Sequence, residues 1–427
     1  MELQGLSTDQ APPLSVPIRF FLTAPLFGIL AGFIIFFSDA NVLMNRYSLE
    51  SIVITHLITI GFLGFIMLGS LTQMLPVLAG AKIPKVQVVT MTSYILLVVG
   101  CLSMFFGLLQ GDAFFTTVAF LALGGGFLLI LTSIAMGIKT VNNFTSTVKG
   151  MSVSVGFAIS IVMMGMYLLY GYITNDITAL HLLVANVHSV WAILGFAGIL
   201  IISVSFQVLP MFYVAPKFKA FCKNRVVYII SVGLILWLVL NIVLPQYAFL
   251  AKIWLALFFL AFATTVWLKF NKRRRPVSDV TVWYWRSASI FLMLGVFLWI
   301  TDEYFKHEYI VMVAILIGGG FILSIMMGML YKIVPFLVWF HLNAMGYMGI
   351  PTMVEMIDKR LAKIQFLLFL ASIIGFIFSF YYADILKPSA LSFILSMVIL
   401  QYNVMQPIQL YTKTKKTKPD FDMSMFN

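Results

Sequence analysis

Five histidines punctuate this 427-residue chain, and four of them (His56, His181, His188 and His307) stand close before Gly-Phe or Gly-Gly-Gly-Phe segments in long apolar stretches. The fifth, His341, follows such a stretch, and one lysine, Lys332, lies inside one. A neutral imidazole is a common metal ligand, and histidine is the usual protein ligand of haem iron. A lysine or glutamine held in an apolar span can bind an anion, hold water or pass protons. The chemistry on offer is therefore metal or cofactor ligation by His56 and His188, with His181 and His307 as weaker candidates. A polar layer of Gln73, Gln207 and Lys332 is the second candidate.

The elements that carry these residues follow from composition. Hydrophobic residues make up 62% of the chain and charged residues 10%, against roughly 25% charged in a soluble domain. Many apolar stretches reach the length of about 20 residues that a helix needs to cross a bilayer. Soluble enzymes, nucleic-acid binders and disordered chains are excluded. Twelve spans are expected near 17–38, 52–79, 86–107, 113–137, 150–174, 182–213, 226–244, 249–268, 283–301, 308–337, 363–383 and 389–411. The fold class is thus an all-α polytopic membrane bundle in one integral domain over 1–427.

The net charge of +12 has a location that explains it. Of the 27 Lys and Arg residues, all but Arg46, Lys252, Lys306, Lys387 and Lys332 fall on the side reached after even-numbered spans. Positive charge is retained in cytoplasmic loops, so both termini are expected in the cytoplasm of a cell with the protein in its inner membrane. Lipid headgroups are the anionic partner implied, and nucleic acid is not. The polar start, residues 1–16, lacks the basic opening of a cleaved signal peptide, so the first span is expected to be retained. The cysteines, Cys101 and Cys222, form no CxxC and support neither a disulfide framework nor a thiolate metal site.

An internal repeat is the most informative pattern. GFLGFIMLGSLTQMLPV from Gly61, GFAGILIISVSFQVLPM from Gly195 and GFILSIMMGMLYKIVPF from Gly320 lie in spans two, six and ten. Each places a small residue eight positions after the first glycine (Gly69, Ser203, Gly328) and a polar one twelve after it (Gln73, Gln207, Lys332). Proline follows at fifteen (Pro76, Pro210, Pro335). Small residues let membrane helices approach closely. Three four-helix arcs, about 17–137, 150–268 and 283–411, are therefore expected around a pseudo-threefold axis, with the repeat helices at the centre.

Depth separates the histidines. At about 1.5 Å rise per residue, His56 and His188 differ by roughly 3 Å relative to their repeat glycines. Two imidazoles at one depth on neighbouring helices are what a six-coordinate haem iron needs. His307 stands roughly 12 Å above His56 and His181 roughly 10 Å above His188, positions suited to haem propionates, a second metal or a quinol. The bland reading of His181, His307 and His341 is that an imidazole near a helix end meets headgroups or carbonyls. Lys332 likewise has a bland reading, since proline at 335 leaves the Tyr331 carbonyl without its helical donor and polar side chains satisfy such groups. No carboxylate is found in the span around Lys332.

With these residues in view, the chain resembles the catalytic subunit of haem-copper oxidases: twelve spans, three arcs, and histidines on spans two, six and ten. The segments PIRFFLTAPLFGILAGF and THLITIGFLGFIMLGSLTQMLPVLAG look closer to NnrS-like proteins, haem- and copper-containing membrane proteins linked to nitric oxide stress. The resemblance implies a haem of b type, copper as a weaker cofactor candidate, and nitric oxide response or respiratory electron transfer as the role. Partners implied are quinol or a periplasmic electron carrier. His56 matches the oxidases' haem-ligating histidine of the second helix, and His188 their sixth-helix copper ligand. The chain departs from that pattern where VVYIISVGLILWLVL has no histidine pair and the tenth span has no His-x-His. Oxygen reduction at a haem-copper centre is therefore not expected. A reductase using His181, His188 and His307 for a non-haem metal, or a cofactor-free transporter or channel built on the Gln73, Gln207 and Lys332 layer, are the alternatives.

Overall fold

A computed structural model of the protein describes residues 11–274, 279–305 and 308–421. Twelve helices are long and apolar enough to cross a membrane: α1 (Ser15–Phe37), α2 (Leu49–Ala79), α3 (Val86–Gln110), α4 (Ala113–Lys139), α5 (Ser146–Thr174), α6 (Ala179–Tyr213), α7 (Ala220–Val243), α8 (Pro245–Asn271), α9 (Val280–Thr301), α10 (Ile310–Ala344), α11 (Lys359–Phe378) and α12 (Ala383–Thr414). They correspond one for one with the twelve expected spans, and no strand occurs among the described residues. A helix satisfies its own backbone in lipid, which is why a bundle of helices is the natural outcome for such a sequence. An even number of crossings returns the end of α12 to the face where α1 begins, the face that also carries most of the lysines and arginines.

Consecutive helices pack as neighbours, and α1 also packs on α12, so the outer helices close on themselves. The junctions α4 to α5, α8 to α9 and α12 to α1 are the places where one expected arc meets the next. Helix starts are set by short polar side chains that accept from free backbone N–H groups. Ser48 does so before α2, Asp112 before α4, Thr145 before α5, Thr178 before α6 and Asp279 before α9.

The three repeat helices share a local irregularity. Each contains a π-helical stretch, Leu57–Gly64 in α2, Trp191–Gly198 in α6 and Ile315–Leu323 in α10, surrounding the repeat glycine. Such stretches accommodate an extra residue in an α-helix and are frequent near functional sites. Their presence accounts for the spacing of eight. In a regular helix, eight residues overshoot two turns by about 80°, which would aim the two small residues at different neighbours. The wider π turns absorb that surplus.

Both small residues of each repeat helix then face the helix that precedes it. A Cβ added at Gly61, Gly195 or Gly320 would come under 3.0 Å from Phe27, Phe157 or Phe291, on α1, α5 and α9 respectively. Two turns away, Gly69 faces Phe21 and Phe20, and Gly328 faces Tyr284. The middle repeat inverts the second contact: Gly150 of α5 is the small partner, and Ser203 of α6 fills the space. The glycines therefore do not serve chiefly to bring the repeat helices together on an axis. They receive aromatic rings from the outer helices, because a ring can nest against bare backbone only where no side chain stands.

The last four helices carry an additional polar tie. Buried Gln365 of α11 accepts hydrogen bonds from Tyr284 and Tyr331 and donates to Ser396 of α12. Asn403 donates to the Tyr331 hydroxyl at 3.0 Å.

These contacts make glycine substitutions unequal. Gly61→Ala is expected to destabilise the protein by about 1–3 kcal/mol through overpacking, with Phe27→Leu partly restoring it. Gly156→Ala, where an added Cβ meets open space, should leave stability unchanged or raise it by about 0.5–1 kcal/mol. Thermal unfolding of the detergent-purified variants checks the contrast.

Candidate metal and cofactor site

His56 closes the α-helical first part of α2 and the π stretch begins at the next residue; His188 stands three residues before the π stretch of α6. The two rings, one on α2 and one on α6, approach one another with centres 6.2 Å apart and planes within 28° of parallel. Both side chains are half-buried, so each keeps accessible surface. The structure thus brings His56 and His188 close together.

Each ring is oriented by a backbone carbonyl. His56 Nδ1 lies 2.7 Å from the carbonyl of Ile52, one turn earlier in its own helix. His188 Nδ1 lies 2.9 Å from the carbonyl of Ile161 on α5. A carbonyl can only accept, so each Nδ1 carries the proton and donates it. The Nε2 lone pair is then the unspent one in both rings, the arrangement in which an imidazole ligates metal while its other nitrogen holds it in place.

Gly165 makes the second of these bonds reachable. It follows Ile161 by one turn, and a Cβ there would lie 3.1 Å from His188 Cε1. A side chain at 165 would hold the ring away from the α5 backbone. The same device recurs higher on the same pair of helices, where Gly171 leaves room for the ring of His181. His181 is buried, packs beside Tyr167 and Tyr172, and its Nδ1 has no hydrogen-bond partner. Gly165 and Gly171 are six apart on α5, and His188 and His181 seven apart on the antiparallel α6. That matching spacing is visible in the sequence, yet it gains meaning only once α5 and α6 are known to pack.

Arg46 adds a cation at the same end. It comes from the α1–α2 connection, reaches Ser189 Oγ at 3.4 Å, and lies 5.0 Å from the ring centre of Tyr47. Ser189 follows His188 in the chain, so the guanidinium is tied to the same helical turn of α6. His307 lies outside the described residues. Among the described residues no three His, Cys, Asp or Glu side chains gather as a metal site, so His181 and His188 are not joined there by a third such ligand. His341, at the other end of α10, is buried on its Nε2 side without a partner and touches the Phe340 ring.

The three polar repeat positions have different surroundings. Gln73 is 3% exposed, and neither amide atom has a hydrogen-bond partner. It lines a cleft between the ends of α2, α6 and α10 that Gln207 and Lys332 do not line. Lys332 has a carboxylate partner that inspection of its own span could not supply: its Nζ is 2.5 Å from Asp279 Oδ2, with the Tyr213 ring centre 5.6 Å away. Asp279 stands just ahead of α9, where its Oδ1 accepts from the backbone N–H groups of Thr281 and Val282 and from the Thr281 hydroxyl. Burial acts to raise the Asp279 carboxyl pKa, but the Lys332 charge and hydrogen bond, with the Thr281 and Val282 donors, hold it below the ordinary carboxylate value.

No protein-family model matches the sequence, and no curated protein matches it at a significant level. The chain stands on its own geometry: a multi-pass, all-helical membrane bundle with two oriented imidazoles at an inter-helix contact.

The Asp279–Lys332 pair yields a graded set of variants. Asp279→Asn keeps a capping side chain but removes the charge opposite Lys332, and should cost about 1–2 kcal/mol, between exposed and buried ion pairs. Asp279→Ala also loses the cap and should cost about 0.5–2 kcal/mol more. Because the folded-state pKa is depressed, the wild-type advantage is present above the unfolded carboxylate pKa of about 3.9 and is lost as pH falls through the lower folded value. Unfolding midpoints of wild type and Asp279→Asn as pH is lowered should converge; a constant gap would refute the assignment.

Proposed function

We propose that the protein is a haem-binding integral membrane protein in which His56 and His188 would hold a b-type haem, serving respiratory electron transfer or a nitric oxide stress response. The observation that carries this reading is the pair itself. Two imidazoles bonded through nitrogen to one metal at about 2.0–2.1 Å have ring centres roughly 6 Å apart, and the separation here is 6.2 Å. Both rings have Nδ1 committed to a carbonyl, which leaves Nε2 for the metal. Haem would supply a one-electron change at iron, and its potential would be set by the two imidazoles and the apolar surroundings.

The chain's own residues have distinct tasks in this reading. The carbonyls of Ile52 and Ile161 hold the rings in one tautomer and one orientation, and Gly165 lets His188 reach its carbonyl. Arg46 offers a positive charge beside the site for an acidic group of the cofactor. The nitric oxide role comes from the resemblance to NnrS-like proteins alone, and the electron-transfer role from the paired imidazoles that would hold the haem. Quinol or a periplasmic carrier is the electron partner in either case, and copper is a weaker second cofactor.

The bias of Lys and Arg toward the face bearing the chain ends supports a reading with both termini in the cytoplasm, and the reading takes the protein to lie in the inner membrane. The histidine pair then lies toward the periplasmic side. The threefold recurrence of π stretch, glycine and nested ring fits three arcs about a pseudo-threefold axis.

Protein purified after expression with ample haem should show a Soret band that His56→Ala and His188→Ala each abolish. A colourless wild-type preparation would overturn the proposal. Gly165→Val, which displaces His188 from the Ile161 carbonyl, should weaken haem retention about 10–100-fold, the usual cost of losing an outer-shell partner. Haem titration of the apoprotein, followed at the Soret maximum, measures it.

A further inference from the structure

Residues 177–278 include no aspartate or glutamate, yet lysines and arginines crowd one face of this stretch, in the α6–α7 turn, the first turns of α7 and the end of α8. The structure joins them into a single surface. Lys269, in the last turn of α8, donates from Nζ to the carbonyls of Pro216 at 2.9 Å and Lys217 at 3.0 Å. Its ammonium lies 4.2 Å from the Phe218 ring centre. The Arg274 backbone N–H donates to the carbonyl of Val214, a residue held in the left-handed region at φ 52°. Phe218 is buried against Phe206, with ring centres 5.1 Å apart. The turn is therefore pinned, and Lys217 and Lys219, which flank the buried ring, stand exposed.

Lys269 is spent on holding this turn. Six further cations, Lys217, Lys219, Lys223, Arg225, Lys272 and Arg274, make no ion pair among the described residues. Like charges so gathered repel one another, and Lys219 and Lys223 add to the positive end of the α7 dipole. Such a field calls for an anion.

The level of the surface in the membrane identifies its kind. α7 has 24 residues, about 36 Å in length against a hydrocarbon core of about 30 Å. Its apolar run begins at Val226, so residues 221–225 stand at headgroup level. Phe221 is 62% exposed there, and Tyr228, two turns on, is 46% exposed. Aromatic rings beside lysines are what a protein presents to the lipid interface. A phospholipid covers those rings with its acyl chains while its phosphate meets the cations.

We propose that this ridge is a binding site for an anionic phospholipid, its phosphate held by Lys217 and Lys219 of the pinned turn together with Lys272 and Arg274, and its acyl chains lying along the exposed face of α7. The diffuse field of an anionic leaflet attracts every basic loop. A rigid, uncompensated ridge on one arc retains a headgroup at one place, because little backbone has to be ordered on binding. The site is independent of the haem reading: Tyr213, where the turn begins, follows His188 by twenty-five residues, roughly 38 Å along α6.

The test titrates the full-length protein in detergent with phosphatidylglycerol or phosphatidylcholine of the same acyl chains, followed by native mass spectrometry. Phosphatidylglycerol should bind as discrete adducts at concentrations where phosphatidylcholine does not. Lys217→Gln with Lys219→Gln should weaken the first adduct roughly thirty-fold, and Lys217→Arg with Lys219→Arg should preserve it. Lys139→Gln with Lys149→Gln, which removes the same charge from the other side of α5, should leave it unchanged. Lys272→Gln with Arg274→Gln should weaken it as the first pair does, and decides the matter should that pair fail to fold. Equal binding of the two lipids, or an equal loss in the Lys139 and Lys149 variant, overturns the proposal. Full competition by inorganic pyrophosphate or by a polyglutamate peptide also overturns it, the partner then being a soluble phosphate or an acidic protein. Soret absorbance of the same samples reports separately on the histidine pair.

Discussion

The nesting of an aromatic ring against bare backbone, repeated where α1 meets α2, α5 meets α6 and α9 meets α10, is the contact on which the rest of the bundle depends. Lipid supplies no hydrophobic drive between helices, so close van der Waals packing must hold them. Phe27, Phe157 and Phe291 gain that packing only because Gly61, Gly195 and Gly320 present no side chain. The π stretches follow from the same requirement, because they keep the second small position on the same neighbour. A distortion that looks local is thus imposed by the need to meet one partner at two levels.

The histidine pair inherits its geometry from this arrangement. The π stretch of α2 starts directly after His56, and that of α6 just after His188. The helical turns before those stretches are therefore fixed in rotation by packing below them. His188 is fixed a second time by α5, through the Ile161 carbonyl and the bare surface at Gly165. An imidazole so held needs little reorganisation to accept a metal, since the carbonyl bond has already selected the proton's nitrogen. Preorganisation here is a property of two helix–helix contacts rather than of the rings.

The sequence disclosed what depends on composition and period, and concealed what depends on which helices touch. Twelve spans were legible because lipid-crossing length and charge bias are written locally. His56 and His188 could be placed at one depth because each is counted from a repeat glycine in its own helix. Gly165 was not legible as a site residue, since its meaning lies in a neighbour more than twenty positions away. The Asp279 partner of Lys332 was hidden for the same reason: Asp279 lies outside any span and is joined to Lys332 only by the packing of α9 on α10. The repeat itself was read correctly as a pattern, but its glycines were assigned to a central contact, whereas the rings of the preceding helices occupy them.

The repeat's polar position shows how one scaffold has acquired three local chemistries. Residues 73, 207 and 332 share a register, yet the first is an orphaned amide, the second half-buried, and the third an ion-paired lysine. Backbone geometry cannot account for the difference, because proline follows each of them by three residues and a π stretch precedes each. The neighbours account for it. Asp279 caps α9 within reach of position 332, so the lysine there has an opposite charge as its partner. Among the described residues the Gln73 amide has no partner, and a lysine placed there would be an unpaired charge against methionine and phenylalanine. An uncharged amide is a polar group that this surrounding tolerates, and it stays buried there without a hydrogen-bond partner.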